Sequence, residues 1–275
     1  EVAEAEINAL MLDKKINDEL RGFKRPDTAR HLADDIETEV VDALIQAVAS
    51  HFKIAHDYYA LKAKLFGKKK LDYHERNIPY GTIEKKYPWS ETKNLVSRVF
   101  YSLDHDFGDI FSAFVKNGQI DVFPYPGKSG GAFCSYNLKN QPVYILLNHT
   151  DKLQDVLTLA HETGHGINDE LVRRQQNSFY FSTPLSTAEV ASTFMEDFVL
   201  AELMREADDE LRLSLLMDKL NNDMATIFRQ IAGYCFEQEL HAEFRQAGYL
   251  SKEEIGKIFK KHMASYMGET ILKPA

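Results

Sequence analysis

Apolar residues recur at helical spacing along most of this chain, which predicts a mainly α fold. Ile7, Leu10, Met11, Ile16 and Leu20 mark a first helix from Val2 to about Leu20. Pro26 opens a new segment, with Asp27 and Thr28 as caps. Val40, Leu44, Ala47, Val48 and Phe52 supply the stripe of one long helix from about Glu37 to Phe66, ended by Gly67. Pro79, Gly81 and Pro88 make the stretch from Lys68 to Trp89 turn-rich. Helix follows from about Glu91 to Val115 with a break near Asp104, then from Asp151 to Arg174, Thr187 to Glu206 and Asp208 to Ala247. Ser251-Lys252-Glu253-Glu254 is a capping box for a last helix.

The period changes only between Ile120 and Asn148, where Pro124, Pro126, Gly127, Gly130 and Gly131 interrupt the pattern. Ala132 to Tyr136 and Val143 to Leu147 read as strands, and Asn137 to Gln141 as the turn between them. The expected architecture is a helical core with a small β-hairpin or sheet beside the helix that follows it. Its organisation is expected to be residues 1–118, a helical region, and residues 119–275, which carry the chemistry, in one continuous domain.

Composition narrows the function classes. The 275 residues are 44% hydrophobic and 27% charged, ordinary values for a soluble globular chain. The net charge of −9 comes without a basic stripe, so no nucleic-acid partner is expected; Lys68-Lys69-Lys70 beside Gly67 reads as a solvated turn. No apolar run approaches the ~20 residues of a membrane span, and no membrane partner is expected. The two cysteines, Cys134 and Cys235, read as free, partly buried thiols of a reducing compartment, which points to the cytoplasm. Oligomeric state is left open.

The sharpest chemical signal is His161-Glu162-Thr163-Gly164-His165. On an α-helix, residues four apart stand on one face with Cβ atoms about 5–6 Å apart. Two imidazoles so placed can reach one Zn²⁺, while Glu162 lies to one side, free to act as a base on water. Leu153, Val156, Leu157, Ala160, Gly164, Ile167 and Leu171 give this segment its helical stripe. Gly164 costs about 1 kcal/mol relative to Ala inside a helix, so a close approach by another backbone is expected there.

Zinc needs a third protein ligand and an open position. No histidine occurs between His165 and His241, which leaves a carboxylate from a following helix. Glu189 and Glu196 lie seven apart, two turns along one face. Glu189 either closes the zinc sphere or, in Ser186-Thr187-Ala188-Glu189, merely caps its helix. Glu196 either accepts a hydrogen bond from a ligand imidazole or is an exposed charge beside Asp197. Phe179-Tyr180-Phe181 reads as packing in preference to a substrate-facing loop, and His241 as a helix-surface or core histidine in preference to a ligand.

Four blocks together resemble the oligoendopeptidase F branch of the thimet oligopeptidase family. They are Tyr58 to Gly67, Gly127 to Cys134, Asp155 to His165 and Ala188 to Thr193. The resemblance implies a zincin-like, largely helical peptidase core that binds one zinc ion per chain and cuts short peptides in a channel by attack of a zinc-activated water. It implies Glu189 as third ligand beside His161 and His165, Glu162 as catalytic base and Glu196 as an acidic partner behind the ligands. Gly131, Ala132 and Phe133 are then expected to border the cleft and meet the substrate backbone, and residues 1–118 to form part of the channel. Asn168 stands where members often carry His. Family enzymes are longer, with a C-terminal segment rich in His and Tyr that stabilises the oxyanion. The expectation is therefore a portion truncated at both ends, with a catalytically weak or inactive peptide-binding fragment as the alternative to an active zinc metalloendopeptidase.

Overall fold

The computed structural model describes residues 1–81, 83 and 85–272. Two compact units account for the chain, Glu1–Tyr80 with Leu216–Ala275, and Gly81–Leu215. The boundary expected at 118/119 falls inside the second of them, because the helices on either side of it pack into one core with the sheet.

The first unit contains α1 (Val2–Leu20), α2 (Thr28–Ala33), α3 (Thr38–Ser50), α4 (Phe52–Leu65), α10 (Gln230–Ala247) and α11 (Lys252–Met267). The single long helix expected over 37–66 is two. Ser50 Oγ and His51 Nδ1 both bond the Ala47 carbonyl, at 2.8 and 2.7 Å, and the His51 N–H turns to Val48 instead. Side chains thus take the acceptor that would have continued the helix. The expected helix over 208–247 is also divided. α9 (Asp209–Asp223) and α10 are separated by a π-helical turn, Met224–Arg229, which resets the phase of the apolar stripe.

The stripe expected to bury α1 does so only in part. Leu10, Ile16 and Leu20 are exposed, while the buried residues are Asn8 and Asp18. Asn8 exchanges two 2.8 Å hydrogen bonds with the Leu250 backbone, and Asp18 accepts from Arg245 at 2.6 Å. Ile7 and Met11 of the expected stripe are partly buried against Leu240, Phe244 and Leu250, and polar pairing supplies the rest of the attachment. Val40 and Leu44 of α3 are exposed as well. Residues 82 and 84 of the turn-rich stretch lie outside the described residues.

The second unit holds the chemistry. α5 (Trp89–Leu103) and α6 (His105–Lys116) are separated where expected, at Asp104, whose side chain caps α6 by accepting from the Asp106 N–H at 2.7 Å. The hairpin is present as β2 (Phe133–Ser135) and β3 (Tyr144–Leu146), paired antiparallel with Cys134 opposite Ile145. A third strand, β1 (Ile120–Asp121), pairs parallel to β3, giving the order β1-β3-β2 and leaving β2 at an edge. Two residues are too few to show periodicity, which is why the sequence reads only a hairpin. α7 (Leu153–Gln175) packs on this sheet and buries Val156, Leu159, Ala160 and Ile167 in the core with Phe111, Val143, Ile145 and Val199. α8 (Leu185–Glu206) packs along α7. No helix among the described residues is long and apolar enough to cross a membrane.

Candidate metal centre

α7 presents His161 and His165 on one face, with ring centroids 5.0 Å apart. The approach of α8 is set at Gly164. A Cβ there would lie 2.6 Å from the Ser192 Cα and 2.8 Å from the Ala191 carbonyl oxygen. Backbone thus meets backbone, the close approach that glycine inside the motif led us to expect. It places Glu189 opposite the imidazoles, with its Oε2 3.2 Å from His161 Nε2 and 3.6 Å from His165 Nε2. Three ligands about 2.0–2.1 Å from a tetrahedral zinc lie about 3.4 Å from one another, so this donor set fits that ion. These atoms form one of two groups of potential ligands among the described residues; the other, Asp72, His74 and Glu75, lies on the surface as part of a capped turn.

α8 begins at Leu185, and no side chain caps it. Glu189 is therefore past the capping position, and the cap reading of Ser186 to Glu189 does not hold. Its carboxylate is steadied instead by Ser192, a buried side chain whose Oγ donates to Oε2 at 2.9 Å. Glu196, two turns on, lies 3.1 Å from His161 Nδ1. This contact turns Nε2 toward Glu189 and raises the His161 pKa, while burial lowers that of His165.

Glu162 is 9% exposed and lies within electrostatic reach of both His161 and Glu189. Burial raises its pKa, and the Cys134 backbone N–H, which it accepts, acts in the opposite sense. Gly131 has φ +79°, a conformation that favours glycine, and leads through Ala132 into Phe133, the first residue of edge strand β2. Sequence reasoning extended that strand to Ala132 and Tyr136; both lie outside it. Phe179 and Tyr180, assigned to packing, are 95% and 71% exposed; only Phe181 is buried.

Sequence reasoning missed Ser192 and a buried pair below Glu162. Cys134 Sγ lies 3.8 Å from Asp169 Oδ2, and Asp169 is 1% exposed. Burial and the nearby carboxylate push the thiol pKa far up, so it stays protonated and donates. Burial, more than any neighbour, pushes Asp169 up to about 7. A carboxyl raised in the folded state stabilises the fold at low pH and loses that contribution as pH rises from about 4 through about 7. Asp169→Asn removes the loss. At pH 8 the variant is expected to be more stable than the parent by about 2 kcal/mol, and nearly equal to it at pH 4. Urea denaturation at the two pH values checks this; equal shifts at both would contradict it.

The sequence profile of peptidase family M3 matches residues 3–274. The chain is 27% identical over 255 residues to the chromosomal oligoendopeptidase F of Lactococcus lactis subsp. cremoris, covering 92% of this chain and 42% of that protein. It is 28% identical over 243 residues to the group B oligopeptidase PepB of Streptococcus agalactiae, covering 86% and 40%. The chain thus spans about two fifths of the length of these curated relatives. Among solved structures, a candidate peptidase of Chlamydophila abortus superposes with a TM-score of 0.85 at 25% identity, over 97% of this chain and 45% of that one.

Proposed function

The chain belongs to peptidase family M3, and from that premise we propose that it is a zinc-dependent oligoendopeptidase, or the zinc-bearing part of one, that hydrolyses short peptides. The observation that carries the reading is the spacing of His161 Nε2, His165 Nε2 and Glu189 Oε2, at 3.2 and 3.6 Å, with a buried carboxyl one residue from the first ligand.

Zinc held by these three residues would supply a Lewis acid that acidifies a water molecule and polarises the scissile carbonyl. The remaining steps fall to the chain. Glu162 accepts the proton from the attacking water and delivers it to the leaving amine. Its raised pKa makes it a stronger base than an ordinary carboxylate, while a carboxylic acid remains acidic enough to return the proton to an amine. The free edge of β2, entered from Gly131 and Ala132 at Phe133, offers main-chain groups to which an extended peptide adds as a further strand. Ser192 and Glu196 hold the ligands in place.

Metal analysis of the chain after mild purification, joined to cleavage of a quenched fluorescent peptide, tests the reading. One zinc per chain and cleavage that chelation abolishes support it. Absence of metal would overturn it. Zinc with peptide binding but no cleavage would mark a peptide-binding zincin instead. Glu196→Ala is expected to weaken zinc affinity about 10–100-fold, since the imidazole it orients is left free to turn. A chelator competition measures this, and an unchanged affinity would remove Glu196 from the site.

A further inference from the structure

Glu162 and Asp169 are seven residues apart on α7, two turns along one face, and both are buried where β2 packs on that helix. Both meet the same residue. Glu162 accepts the Cys134 backbone N–H, and Asp169 lies 3.8 Å from the Cys134 thiol. One strand residue thus bridges two carboxyls of the helix, with its main chain on one and its side chain on the other.

On the peptidase reading above, we propose that Asp169 is a positioning residue: by holding the Cys134 thiol it sets edge strand β2 so that the Cys134 amide aims the Glu162 carboxyl. The arrangement explains a costly feature, since a carboxyl 1% exposed and without a cationic partner at hydrogen-bond distance is unfavourable in a core. It also accounts for the use of cysteine in edge strand β2. The buried thiol is held protonated, so it serves as a donor and not as a nucleophile. Asp169 is steadied in turn by the Asn168 side chain, whose Nδ2 also donates to Thr183 Oγ1 at 3.2 Å. Among the described residues Asp169 hydrogen-bonds to neither imidazole, so its effect on hydrolysis would run through the strand.

The chain has two cysteines, which makes a direct test possible. Labelling with ¹⁵N-cysteine gives two amide signals, Cys134 at the site and Cys235 in α10 as an internal control. Glu162→Ala identifies the displacement that accompanies loss of the acceptor. Asp169→Ala is expected to move the Cys134 signal as well, and Asp169→Asn to leave it near its parent position, with Cys235 unmoved in both. In peptide cleavage, Asp169→Ala is expected to lower kcat on the order of 10- to 100-fold with KM and zinc content within about twofold, as misplacement of a reacting group does. A Cys134 signal unchanged in Asp169→Ala would overturn the proposal, as would equal losses for Ala and Asn. Should Asp169→Ala not fold, Cys134→Ala decides by the same kcat loss, restored by Cys134→Ser; no loss, or no restoration, would overturn the proposal. A parent chain without turnover would overturn the peptidase reading alone, because the amide signals still report whether Asp169 sets the strand.

Discussion

Glu162→Gln is expected to lower kcat for peptide hydrolysis by about 10²–10⁴-fold while zinc content and KM stay near those of the parent. The substitution keeps the length and shape of the side chain and an oxygen that can accept the Cys134 N–H. It removes only the capacity to take a proton. The candidate ligand atoms belong to His161, His165 and Glu189, so that donor set is untouched. Because Glu162 is buried, its removal as a base is not readily replaced by a solvent carboxylate, which is why the loss falls on the rate and not on binding. A quenched fluorescent peptide and metal analysis on the same preparation provide the measurement. Activity surviving within tenfold of the parent would sink the role given to Glu162, and loss of zinc would place it among the ligands.

The second large effect is expected at Gly164. Alanine normally favours a helix interior over glycine by about 1 kcal/mol. Here the added methyl meets the Ser192 Cα and the Ala191 carbonyl, atoms of a neighbouring backbone that cannot rotate aside. α8 must move, and it carries Glu189 and Glu196 while the imidazoles stay on α7. We expect Gly164→Ala to destabilise the chain by about 1–3 kcal/mol and to weaken zinc binding at least about tenfold. Urea denaturation of the metal-free protein and a chelator competition separate the two losses. A variant as stable as the parent would mean that α8 is not seated on Gly164.

These two residues also mark what could be read in the sequence. His161, Glu162 and His165 are legible because a helix fixes the relation of residues four apart, whatever surrounds it. Glu189 is not fixed in that way. Spacing placed it and Glu196 on one face of a helix, but the partner of that face is set by the contact at Gly164, so ligand and cap remained equal readings until family resemblance was considered. Ser192, whose hydroxyl bonds Glu189, carries no signal of its own among the small polar residues of α8. The Cys134–Asp169 contact joins positions 35 apart in sequence and reads only as a stray thiol and a helix acid. Local competition explains the misread helices. The break at His51 depends on which donor reaches the Ala47 carbonyl, and the partly exposed stripe of α1 on how Asn8 and Asp18 are paired. Apolar periodicity reports that a helix forms, and says less about which of its faces is buried.

The three ligand side chains differ in how far they reach from the core: Glu189 is 62% exposed, against 27% for His161 and 18% for His165. On the zinc reading proposed above, an arriving cation would encounter the carboxylate before either imidazole, drawn by a chain of net charge −9. Capture and retention would then answer to different physics. The association rate is expected to follow long-range attraction and to fall as ionic strength rises, whereas escape would require leaving two nitrogens sheltered from the screening ions and is expected to be nearly indifferent to salt.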